Sequence, residues 1–118
     1  MLVDPLCYDT LGGWDETFSH GSEETDFCQR ARDRGWTVRY VPDAVAVHLD
    51  GEGGRSTKVR PVMFANRLEL YRRRRGLRRA LAFRLALALN EALRRHRGPQ
   101  HRKTLRAVLK GQRPAPVP

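Results

Sequence analysis

Apolar and polar residues alternate in short helical and extended patterns over the first fifty positions, and in helical ones from Pro61 onward. Met1-Leu2-Val3 is a brief apolar start that reads as the end of a strand. Asp4-Pro5 is a helix-start pair: a side-chain acceptor, then a residue lacking an N–H that would go unpaired there anyway. Leu6, Cys7, Thr10 and Leu11 follow at helical spacing, and Gly12-Gly13 stops them. Ser22 is placed to cap a second helix with Phe27, Cys28 and Ala31 as its apolar stripe and Gly35 as its end. Trp36-Thr37-Val38-Arg39-Tyr40-Val41 alternates as a strand does. Pro42-Asp43 signals a turn, and Ala44 to His48 predicts a second short strand.

Leu49 to Thr57 holds Gly51, Gly53 and Gly54 and reads as a flexible linker or lid. Beyond it three helices are predicted. Pro61 to Arg75 carries Met63, Leu68, Leu70 and Tyr71 and ends at Gly76. Leu77 to Arg97 presents Leu81, Phe83, Leu85, Leu87, Leu89 and Leu93 as a wide apolar surface flanked by arginines, and Gly98-Pro99 breaks it. His101 to Leu109 is the last helix, followed by a proline-bearing tail with the composition of a disordered segment. The organisation expected is residues 1–60 as one α/β unit with short strands, 61–110 as a basic amphipathic helical extension, and 111–118 as tail.

Charge sharpens this division. Residues 1–50 hold ten acids and four arginines, whereas residues 51–118 hold three acids and nineteen basic side chains. The front half therefore carries the candidate chemistry, and the back half suits an anionic surface. Cys7 and Cys28 have no metal-ligand spacing and read as reduced, small apolar residues of a cytosolic chain. No signal peptide is recognisable at Met1. The longest apolar stretch, Ala80 to Leu89, is broken by Arg84 and falls short of a membrane span.

The candidate site centres on Ser22-Glu23-Glu24-Thr25-Asp26. Acids in the first turn of a helix suit its dipole without any chemistry. Three within four residues exceed that need, and like charges this close favour proton uptake, the property a general base requires. Gly12-Gly13 reads either as a helix stop or as backbone that approaches a ligand, with Trp14 as a stacking face or as plain core. His48 reads as an ordinary strand-end histidine or as a ligand of a divalent metal. The run Arg72 to Arg75 with Arg78 and Arg79 reads as a solvated basic face, a phosphate site, or part of a helix lying on an anionic bilayer. Nucleic acid ranks below the bilayer, because no recognition-helix or zinc-knuckle signature is present.

Taken in order, Gly12-Gly13-Trp14-Asp15-Glu16-Thr17-Phe18, the acidic helix start, Arg30-x-x-x-x-Gly35-Trp36, Val41-Pro42-Asp43-Ala44-x-x-x-His48 and the glycine/serine loop resemble a known pattern. It is the C-terminal half of the catalytic domain of family 2 glycosyltransferases of the rhamnosyl- and galactofuranosyl-transferase kind. The resemblance covers residues 1–75. It implies a GT-A fold, and inverting transfer of a sugar from a nucleotide-diphosphate sugar to the hydroxyl of a glycan or lipid-linked glycan, as in cell-surface polysaccharide or glycolipid synthesis.

The resemblance also implies roles. Glu24 falls on the general base, with Glu23 and Asp26 on neighbouring acids that orient the acceptor or hold the helix start. His48 falls on a ligand of Mg2+ or Mn2+. Gly13, Trp14 and Asp15 fall on the loop lining the donor–acceptor cleft, and Arg55, Ser56 and Thr57 are placed to reach the diphosphate. The family usually has Asp at the position of Glu24. Its N-terminal half, with the nucleotide-binding strands and an Asp-x-Asp metal motif, has no counterpart in these residues, so the chain is expected to be a fragment that does not turn over alone. The expected location is cytoplasmic, peripheral on the inner face of the cell membrane through Arg72 to Arg97. The alternative function is a non-catalytic basic module that binds membrane or nucleic acid.

Overall fold

The computed structural model describes residues 1–47 and 59–111, and all regular structure among them is helical. Helix α1 spans Pro5–Leu11, α2 Glu23–Asp33, α3 Val59–Leu93 and α4 Pro99–Lys110, with a 3-10 turn at Arg95–Arg97 before α4.

Local signals set α1. Asp4 Oδ1 accepts from the N–H groups of Leu6 (2.8 Å) and Cys7 (3.2 Å), Pro5 opens the helix, and Gly12 closes it in the left-handed region. The start of α2 departs from expectation. Ser22 stands at the cap position with φ 96°, but its side chain makes no capping hydrogen bond. Cys7 and Leu11 of α1 meet Phe27 and Ala31 of α2 in a small core, covered at its margin by Val3, Trp14 and Trp36. Both cysteines are free thiols, Cys7 buried and Cys28 partly so.

The α/β expectation, with its GT-A-like short strands, is overturned. Among the described residues Trp36 to Val41 and Ala44 to Val47 form no strand. A strand is stable only when paired, and the described residues contain no second strand to pair with. Trp36 instead folds back, its N–H bonded to the Ala31 carbonyl at 3.0 Å, while Tyr40, Val45 and Val47 stay exposed. The turn at Pro42-Asp43 survives, with the Ala44 N–H bonded to the Val41 carbonyl at 3.1 Å.

In the back half the predicted helices differ in their bounds. Two of them form one element, α3, divided by Gly76 at φ 77°, ψ 171°. A straight helix of 35 residues would be about 52 Å long, more than the 45 Å longest extent of the molecule. The break folds α3 back on itself. Tyr71 and Phe83 stack across it at 4.4 Å between ring centres, and Arg60 near one end reaches Glu91 near the other at 2.8 Å. Helix α4 packs against this hairpin, burying Thr104 and Val108. Arg84 donates through Nε to the Val108 carbonyl at 2.8 Å and through Nη2 to that of Leu109, placing a cation at the negative end of α4.

The front half is attached to α3 by polar contacts. Arg73 bonds Asp15 and Thr17 and lies over the buried Phe18 ring, Arg74 pairs with Asp33, and Asn66 donates to the His20 carbonyl at 3.1 Å. No helix among the described residues is long and apolar enough to cross a membrane.

Candidate functional site at the head of helix α2

The three acids at the head of α2 do not share one environment. Successive residues turn by about 100° around a helix axis, so Glu23, Glu24 and Asp26 fan out. Asp26 is buried and binds Arg30 Nε at 2.7 Å. That bond orients the guanidinium, whose Nη1 and Nη2 donate to the carbonyls of Leu11 and Gly13, both at 2.8 Å. Asp26 therefore acts on the Gly12-Gly13 loop through Arg30, which is an architectural role. Glu23 is half-buried, and its Oε2 has no hydrogen-bond partner. Glu24 is exposed and makes no hydrogen bond or ion pair among the described residues.

The loop residues are also committed to structure. Gly13 is buried, and a Cβ there would lie 3.0 Å from the Tyr8 hydroxyl. Trp14 packs on Phe27 at 4.7 Å and meets Tyr8 edge-on at 6.3 Å, so its ring serves the core rather than an open stacking platform. Asp15 accepts from the Thr17 hydroxyl (2.6 Å) and N–H (2.9 Å) through Oδ1, and from Arg73 through Oδ2 (2.7 Å). The Thr17 hydroxyl holds the Asp15 carboxyl below its ordinary value; burial opposes it, and the Thr17 backbone N–H and Arg73 add to the lowering. This carboxylate is a fixed anion bridging the loop to α3. The other expected site residues, His48, Arg55, Ser56 and Thr57, lie outside the described residues.

A cavity of about 730 Å3 opens between α2 and the first part of α3. Arg32, Arg67, Arg74 and Arg75 line it, with Tyr71 and Gln29. Gln29 Oε1 is buried without a partner. Arg74 is paired with Asp33, while Arg32 and Arg75 make no ion pair among the described residues. Of the expected basic run, then, Arg72 and Arg73 are tied to Glu69 and Arg74 to Asp33, while Arg75 faces the cavity and Arg78 and Arg79 are exposed without an ion pair among the described residues.

Sequence reasoning passed over a second polar cluster. Glu91 is fully buried. Its Oε1 accepts from Arg60 Nη2 (2.8 Å) and Asn90 Nδ2 (3.1 Å), and its Oε2 lies 3.0 Å from His101 Nδ1, which donates to it. The available signal was composition: Glu91 is the one acid after Glu69 in a strongly basic sequence.

The described residues offer no group of three or more His, Cys, Asp or Glu side chains placed to hold a metal ion. Compared with protein-family models, curated proteins and solved structures, the chain matches none.

Proposed function

We propose that this chain supplies the acceptor-side carboxylate of a family 2 glycosyltransferase, which moves a sugar from a nucleotide-diphosphate sugar to an acceptor hydroxyl. The observation carrying this reading is the contrast at the head of α2. Asp26 is locked to Arg30, whereas Glu24, at the position the motif order marks as the base, presents a free and exposed carboxylate. In the step proposed, Glu24 takes the proton of the acceptor hydroxyl. The acceptor oxygen bonds to C1 of the sugar, the bond from C1 to the diphosphate oxygen breaks, and the nucleotide diphosphate leaves with inversion at C1. The described residues do not form a site for Mg2+ or Mn2+, and no part of this step is assigned to a metal ion.

The test is sugar transfer by the protein that contains this chain, with a panel of nucleotide-diphosphate sugars and a membrane extract as the acceptor source. Glu24→Gln is expected to lower turnover by roughly 10²–10⁴-fold while leaving donor binding intact. Undiminished turnover in that variant would remove Glu24 from the role.

A second reading, a non-catalytic basic module, is favoured by the arginine-lined cavity between α2 and α3. It is distinguished by steeply salt-dependent binding to polyanions that ignores Glu24→Gln.

A further inference from the structure

The second arm of α3 is apolar on its outer face as well as its inner one, where Ala80 and Leu87 are buried. Between Leu81 and Leu93 the exposed residues are Leu81, Ala82, Leu85, Ala86, Leu89 and Leu93, every one apolar. Leu85, Leu89 and Leu93 are 70%, 61% and 68% exposed. The polar members of the same stretch turn the other way: Glu91 is fully buried, and Arg84 reaches inward to cap α4. An ordinary surface helix shows the reverse arrangement. The leucines recur every fourth residue, so they form one continuous band about 18 Å long.

Charge says what this band faces. Residues 76–111 contain ten arginines and lysines and one acid, Glu91, which is buried and paired. Arg78 and Arg79 stand exposed at one end of the band, and Arg94, Arg95 and Arg97 at the other. Two copies of the chain meeting through this face would bring like charges together. A nucleic acid would satisfy the arginines but give the leucines nothing to bury against. A bilayer rich in anionic lipid satisfies both, taking leucines at the acyl boundary and guanidinium groups at the phosphates. The band is too short to span the roughly 30 Å hydrocarbon layer and suits a helix lying in its surface.

We propose that the outer face of α3, from Leu81 to Leu93 with its arginine ends, seats the protein flat on an anionic membrane surface. This rests on the exposure pattern of α3 and is independent of the transferase reading.

Flotation of the full chain with vesicles tests it. Vesicles of phosphatidylcholine with about a quarter phosphatidylglycerol are compared with pure phosphatidylcholine, at unchanged helicity by circular dichroism. The wild type is expected to float with the anionic vesicles and to bind the neutral ones at least about tenfold less. Leu85→Gln with Leu89→Gln, both at exposed positions, is expected to lower anionic binding by about tenfold or more. Arg94→Gln with Arg95→Gln is expected to lower it by about the same factor. Glu24→Gln is expected to float like the wild type, so loss of catalysis and loss of docking are read separately. The proposal is overturned if the leucine pair leaves flotation unchanged. It is equally overturned if the wild type fails to float, or if the same leucines instead prove necessary for a lipid-free dimer or for binding a DNA or RNA duplex.

Discussion

Oε2 of Glu91 lies 3.0 Å from Nδ1 of His101, and the Glu91 side chain is wholly removed from solvent. With Arg60 on its other oxygen, this carboxylate ties both arms of α3 to α4. Removing it would leave the partly buried Arg60 and the buried His101 without their acceptor, a loss of up to about 3–5 kcal/mol if both were fully buried. Glu91→Ala is therefore expected to lower the urea unfolding midpoint sharply, and Glu91→Gln, which keeps the volume and one acceptor, to lower it less. An unchanged midpoint in Glu91→Ala would show that the cluster contributes little.

Asp26 and Glu24 are expected to separate by experiment although they lie two residues apart. Asp26→Asn weakens the hold on Arg30 and through it on the Gly13 carbonyl, a loss of about 1.5–3 kcal/mol for a hydrogen bond between charged groups. Glu24→Gln alters an exposed position and is expected to stay within about 0.5 kcal/mol of the wild type. Paired denaturation curves check this, and equal curves would contradict the architectural role of Asp26.

Asp15 gives a pH dependence with a definite sign. Its folded-state pKa lies below the ordinary value of 3.8, so the unfolded chain takes up this proton first as acid is added. The stabilisation is fully present above about 3.8 and is lost as pH falls through the lower folded-state value. Asp15→Asn should be less stable than the wild type near neutrality, and the gap should close in acid. Thermal melts across the acid range would show a constant gap if Asp15 did not contribute.

Gly76 sits at φ 77°, ψ 171°, with nothing within 4 Å of where a Cβ would stand. Any cost of Gly76→Ala therefore comes from the backbone, about 1–3 kcal/mol for a conformation nearly restricted to glycine. The variant is expected to melt lower or to open the hairpin, separating Tyr71 from Phe83. A melt and a hydrodynamic radius like the wild type's would mean that alanine is tolerated there.

Features governed by neighbours in sequence were legible in it. Asp4, Pro5 and Gly12 start and stop α1, and Gly76 and Gly98 interrupt the back half where expected. Features that depend on distant partners were not. The alternation from Trp36 to Val41 describes a segment able to join a sheet, but supplies no sheet to join. The leucines of α3 read as a wide apolar surface, yet which side of a helix faces inward is fixed by what packs on it, here α4 and the buried carboxylate of Glu91. In the candidate site the acids were legible as a cluster at a helix start. Their division into the locked Asp26 and the free Glu24 follows from Arg30, whose reach to two loop carbonyls no spacing rule encodes.

The doubling back of α3 also orders the unfolding of the molecule. The contact between Arg60 and Glu91 closes a stretch lying wholly within the back half, and α4 completes that unit without residues 1–47. The front half is attached chiefly through side-chain contacts from Asn66, Arg73 and Arg74, and partly exposed ion pairs are individually weak. Amide protons of α1 and α2 will therefore exchange with solvent sooner than those facing inward in α3 and α4. The leucine-bearing hairpin is expected to open more slowly than the carboxylate-bearing front half, and exchange of the two sets of amides at one common rate would contradict this.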